Sequence, residues 1–175
     1  MPYTLLQILY LTAFTILDAK EPSDCFPVFH SAKEFEAFHQ SHCQTSYTDG
    51  VKLKGFISLN KLLYKEQEYV LTDLWGFMKG NVVYRAHKGS LYRIIDYGPI
   101  IIYRGIMQRK HAVFFSTDLD TEIYWFSKNI LIRELQNISS SYATLVDNLP
   151  RNDLLAYFED EDHFLINILL SLEKK

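Results

Sequence analysis

From residue 43 to residue 128 the chain alternates short apolar and aromatic runs with polar or glycine-bearing breaks. EYVLTDLWGFM (68–78) ends at Lys79-Gly80-Asn81. NVVYRAH (81–87) ends at Lys88-Gly89, and SLYRIID (90–96) at Tyr97-Gly98-Pro99. IIIYRGIM (100–107) ends at Gln108-Arg109-Lys110 and HAVFFST (111–117) at Asp118-Leu119-Asp120, after which TEIYWFSK (121–128) closes the series. Runs of this length, rich in β-branched and aromatic residues and separated by tight turn signals, predict antiparallel strands joined by hairpins. No helical pattern separates them, which argues against a parallel βαβ sheet. With SHCQTSYTDGVKLKGF (41–56) added as a further strand, seven strands are predicted. The number is eight if that stretch turns at Asp49-Gly50.

The period then changes. In ILIRELQNISSSYATLVDNLP, apolar residues at Ile132, Leu135, Ile138, Tyr142, Leu145, Val146 and Leu149 fall on one helical face. A single long amphipathic helix is predicted over 131–149, ended by Pro150. HFLINILLSLEKK (163–175) is a last apolar segment, expected to pack on the body of the fold. Near the start, SAKEFEAF predicts a short helix. Ser31 caps it, Glu34 stands three residues on, and Phe35 and Phe38 share a face.

A meander this long must bury its apolar faces and protect its edges. Closure into an up-and-down β-barrel with the long helix packed outside does both. The first residues stand apart from this design. Leu5–Leu17 is apolar but for Gln7, Thr12 and Thr15, and ends at Asp18-Ala19-Lys20. It reads as a secretory signal peptide over residues 1–19, leaving 20–175 as one domain. No later stretch reaches the ~20 apolar residues of a membrane span.

Composition sharpens the picture in a few places. The 175 residues are 48% hydrophobic and 15% aromatic, enough for one substantial core. The net charge is −3, and Lys and Arg are scattered, which gives no support to nucleic-acid binding. Cys25 and Cys43 are the only cysteines. In an oxidising compartment such a pair is normally joined, the alternative being two free thiols. Asn137-Ile138-Ser139 is an N-glycosylation sequon.

The pattern as a whole resembles the lipocalins, most nearly the apolipoprotein D and insect-type branch. The residues that carry the resemblance are Cys43, Tyr47, Asp49, Gly50, Val51 and Leu53, then YRIIDYGPIIIYRG (92–105). The order of IYWFSK (123–128), the long helix and NLPRNDLLAYF (148–158) adds to it. The family's Gly-x-Trp has no counterpart between Cys25 and Cys43, and Lys128 stands where an Arg usually ends the last strand. The resemblance implies a secreted carrier of a small hydrophobic ligand, with no cofactor and no chemistry done on the ligand. On alternating barrel strands, Tyr69, Trp75, Tyr84, Tyr92, Tyr103, Phe115 and Trp125 are the candidates to line its cavity. The alternative is a secreted interaction module whose barrel is filled by its own side chains and whose loops or C-terminal segment hold a protein partner.

Other chemistries find less support. Cys25, His30, His39, His42 and Cys43 lie close together but show no metal-ligand spacing. No Gly-x-Ser-x-Gly elbow or phosphate loop occurs, and the carboxylates at Asp118, Asp120 and 159–162 read as solvated surface.

Overall fold

The structure is a computed structural model that describes residues 27–40, 51–54 and 61–173. The predicted signal peptide, Cys25, His42, Cys43 and Asp49-Gly50 lie outside the described residues.

The body is a seven-stranded antiparallel sheet. Its members, in spatial order, are β1 (Val28–Phe29), β5 (Gly76–Lys79), β6 (Val82–His87), β7 (Ser90–Tyr97), β8 (Ile101–Met107), β9 (Lys110–Ser116) and β10 (Tyr124–Trp125). A smaller antiparallel sheet consists of β2 (Lys52–Lys54), β3 (Lys61–Tyr64) and β4 (Gln67–Val70). The remaining strands, β11 (Tyr157–Phe158) and β12 (His163–Phe164), form a short hairpin. Among the described residues β1 and β10 do not pair, so the large sheet runs from one short edge strand to the other.

The hairpins fall where the polar breaks predicted them. Lys88 (φ 48°) and Gly89 (φ 71°) turn β6 into β7, and Gln108 (φ 52°) and Arg109 (φ 64°) turn β8 into β9. Two successive positive φ values give the turn twist that matches right-handed strands. At the second hairpin, side-chain-bearing residues accept that conformation.

Two elements differ from the sequence reading. EYVLTDLWGFM is not one strand. A single 3-10 turn at Leu71–Asp73 splits it, sending β4 to the small sheet and β5 to the large one. The predicted long helix is two: α2 (Lys128–Gln136) and α3 (Ser140–Asn148). Ser139 is extended (φ −157°, ψ 128°) and breaks the run. Serine hydroxyls compete for backbone groups, so a Ser-Ser-Ser run favours a helix start over a helix interior. The fold-back lets both apolar faces reach one core. Lys128 begins α2 instead of ending a strand, and its Nζ donates to the carbonyls of Asp147 (2.7 Å) and Leu149 (2.8 Å). A cation on those last carbonyls completes the C-terminus of α3.

The remaining helices are α1 (Ala32–Gln40) and α4 (Leu165–Glu173). The Ser31 hydroxyl accepts from the Glu34 N–H (3.3 Å), and Glu34 Oε2 accepts from the His30 N–H (2.6 Å), a capping pair as the sequence predicts. No helix among the described residues is long and apolar enough to cross a membrane.

The two faces of the large sheet are covered differently. On the first face, α1 and the segment between β9 and β10 close over Trp75, Met78, Ile101, Tyr103 and Phe114. Phe35 stacks on Trp75 at 4.8 Å, and Trp75 Nε1 donates to the Leu119 carbonyl (3.0 Å). The second face is shared. Helices α2, α3 and α4 bury Ile100, Ile102 and Phe115 with Leu131, Leu135, Val146 and Leu170. The small sheet buries Phe77 with Leu62, Tyr64, Tyr69 and Leu74.

Candidate functional site

Between the helices and the small sheet the described residues only partly roof the second face. Strand alternation brings Tyr84 on β6, Leu91 and Arg93 on β7, Arg104 and Ile106 on β8, and His111 on β9 to this strip. With Leu53 from the small sheet and the backbone at Gly105 they line a groove of about 370 Å³. That volume lies within the range of small-molecule sites. The floor is well supported: Tyr84 stacks on buried Phe77 at 5.2 Å. Gly105 has no side chain because a Cβ there would lie 2.9 Å from ring carbons of Phe114 and Tyr92 on the other face.

The polar character of the groove comes from arginine. Arg93 and Arg104 stand directly opposite each other on paired strands, both exposed. Neither guanidinium makes a hydrogen bond or ion pair with a described residue, and none of the described residues lining the groove is acidic. Like charges set directly across a ladder repel.

The opposite face handles its arginine another way. Arg85 is 3% exposed. Its Nη1 donates to the Tyr103 hydroxyl (2.9 Å) and Ser116 Oγ (3.3 Å), and its Nη2 to the Thr121 carbonyl (2.6 Å). The Trp75 and Tyr103 rings lie 5.8 and 5.9 Å from its guanidinium carbon. Burial pushes the Tyr103 phenol above its ordinary pKa, although the adjacent Arg85 charge and the Ser116 hydrogen bond pull the other way. This network ties β6, β8 and β9 to the segment leading into β10, and its donors and acceptors satisfy one another.

A second cleft, about 400 Å³, is lined by His39, Ile94, Ile95, Asp96, Tyr97, Asp162 and His163. A β-bulge places Asp96 there: Ile94 pairs with Tyr103 but Asp96 pairs with Ile102, so Ile95 is the extra residue. The buried Asp96 carboxylate accepts from the Phe164 N–H (2.9 Å) and contacts His163 Nδ1 (2.5 Å). Beside it, the Asn167 amide makes a reciprocal pair with the backbone of Ile100, at 3.1 Å to its N–H and 2.9 Å to its carbonyl. A Cβ at Gly98 would fall 2.7 Å from the Asn167 side chain. These contacts clasp the C-terminal hairpin and α4 onto the β7–β8 turn, and they occupy the Asp96 carboxylate and one ring nitrogen of His163.

The seven aromatics expected to line one cavity are distributed over four places. Trp75, Tyr92 and Tyr103 belong to the core under α1, and Phe115 to the core under the helices. Tyr69 and Tyr84 pack with the small sheet, while Trp125 on β10 is 51% exposed. Of these only Tyr84 lines the groove. The sequence reading missed Arg93, Arg104, Leu53, Leu91, Ile106 and His111. A signal was present in YRIID and YRGIM: each places an arginine within an otherwise apolar run, beside Ile or Gly.

The sequon asparagine, Asn137, is exposed at the break between α2 and α3. His30 packs near Tyr69, and His39 near Tyr97 and Phe35. Among the described residues no three His, Cys, Asp or Glu side chains gather as a metal site would require. No family model matches the chain, and neither a curated protein nor a solved structure does.

Proposed function

We propose that this protein is a secreted, non-enzymatic carrier that binds a small ligand with an apolar body in the groove of the second sheet face. The observation that carries the proposal is the groove itself: a concavity of about 370 Å³ walled by Leu53, Tyr84, Leu91 and Ile106 over a packed floor. Burial of apolar ligand surface there would contribute about 25 cal/mol per Å² removed from water. The Leu5–Leu17 apolar run and the exposed Asn137 sequon support the secreted location. The proposal keeps the carrier role that the lipocalin resemblance implies and moves the ligand from a barrel interior to an external groove. A lipocalin-like barrel would further require the edge strands β1 and β10 to meet, and each is two residues long.

Methyl-labelled full-length protein titrated with medium-chain amphiphiles tests the reading. Saturable shifts of the Leu53, Leu91 and Ile106 methyls are expected. Shifts confined to other residues, or none, would overturn it.

The second reading is a protein-interaction module. It is favoured by Trp125, an exposed large aromatic on an edge strand. Loss of a self-association or partner complex in Trp125→Ser, with groove binding absent from the wild type, would select it.

A further inference from the structure

We infer that the groove selects an amphiphile with an anionic head, and that Arg93 and Arg104 together receive that head. The inference rests on the groove proposed above and adds the class of ligand. It begins from the cross-strand register. Arg93 and Arg104 are partners on β7 and β8, so their side chains leave the same face at the same level of the sheet. A bare pair of this kind costs stability, and an acidic neighbour would remove the cost. None of the described residues lining the groove is a carboxylate.

Three other cations of this molecule each meet a carboxylate nearby. Lys61 meets Glu68 at 3.1 Å, Lys88 meets Glu122 at 2.6 Å, and Arg133 meets Glu134 at 2.7 Å. Arg85 is surrounded by neutral acceptors. Among the described residues the two groove arginines meet no acceptor, at the rim of a concavity whose other walls are largely apolar. His111, on the same strip, adds further donor capacity.

Two planar guanidinium groups side by side offer paired N–H donors in the geometry that a carboxylate accepts. The aliphatic stems of the arginines continue the apolar wall. A ligand that fits both features has one acid head and one short hydrocarbon chain: the chain lies along Leu53, Leu91 and Tyr84, and the head sits between the arginines. Exposed charge pairs are screened by salt, so the head contributes most at low ionic strength.

The test uses the full-length chain and three probes of one chain length: decanoate, decanol and decylamine. Binding is read from methyl shifts at Leu53 and Leu91. Decanoate is expected to bind about tenfold tighter than decanol at low salt, decylamine more weakly than decanol, and the decanoate advantage is expected to shrink in high salt. In R93Q and R104Q the ratio of decanoate to decanol affinity should fall towards one, whatever the shorter side chain does to the binding of both. R93K and R104K, which keep the charge but lose the planar fork, should fall between. Equal affinity for decanoate and decanol in the wild type would overturn the head-group assignment and leave the groove intact. Unchanged decanoate binding in both Gln variants would overturn it too. Failure of all three probes to shift the groove methyls would overturn the groove reading itself. Both arginines are exposed, so the variants are expected to fold, and retained dispersion of the core methyl signals checks this.

Discussion

The two faces of one sheet carry arginines in opposite circumstances. Arg85 lies under α1, buried, with donors directed at Tyr103, Ser116 and the Thr121 carbonyl. Arg93 and Arg104 lie on the other face, exposed and facing each other without acceptors among the described residues. Strand alternation produces both situations within a short stretch of β6, β7 and β8. A buried guanidinium without acceptors would cost several kcal/mol, so the first face had to supply them. An exposed guanidinium remains hydrated and tolerates the lack of a partner, which leaves it free for a ligand. The first face is therefore read as structural and the second as the place to seek function.

The strongest way to break this comparison is to remove the buried arginine. Arg85→Ala leaves a cavity and strands the Thr121 carbonyl, while Tyr103 and Ser116 keep their mutual 2.8 Å hydrogen bond. A loss of about 4 kcal/mol is expected, measured by urea unfolding. Next comes the clasp beside the bulge. Asn167→Ala leaves the buried Ile100 N–H without its partner, while the Ile100 carbonyl keeps the Gly98 N–H at 3.3 Å, and should cost about 2 kcal/mol, read the same way.

A smaller effect is expected in alkali. The folded state holds the Tyr103 phenol above its ordinary value of 10.0, chiefly by burial, and so binds that proton more tightly than the unfolded chain does. Stability from this source is complete below pH 10 and declines as pH rises from there through the folded value. Tyr97, also raised mainly by burial, adds to the same limb. Tyr103→Phe should flatten the alkaline decline in a series of unfolding curves, although its stability at neutral pH is lower.

The smallest effect belongs to the groove. Arg93→Gln or Arg104→Gln should change stability by no more than about 0.5 kcal/mol, and the sign should be stabilising because a like-charge contact is relieved. A large destabilisation would show that these arginines hold the fold together, and the contrast between the faces would fail.

Local chemistry accounts for what could be read in advance. The hairpins at Lys88-Gly89 and Gln108-Arg109 stand where polar residues interrupt apolar runs, and the Ser31/Glu34 cap lies at its expected spacing. The packing of residues 163–173 followed from their apolar face. Misreadings arose where a local pattern had two outcomes. EYVLTDLWGFM has strand-forming residues throughout, yet Leu71, Thr72 and Asp73 turn so that its halves serve different sheets. The 131–149 helix has an unbroken apolar stripe, but Ser139 folds it back. The site was hardest to read because aromatic content pointed to the most buried positions, which fill the cores, whereas the groove is marked by exposed arginines.

What the sequence by itself determined is the antiparallel, mainly β architecture with helices at the end, because period-two runs, turn residues and a helical stripe are all properties of neighbours along the chain. Which strand face each side chain occupies was decided only in the tertiary structure. The bulge at Ile95 moves Asp96 from the face of Ile94 to that of Ile102, and one residue of register exchanges core for surface. The same long-range choice set Arg85 among its acceptors and left Arg93 and Arg104 side by side over the groove.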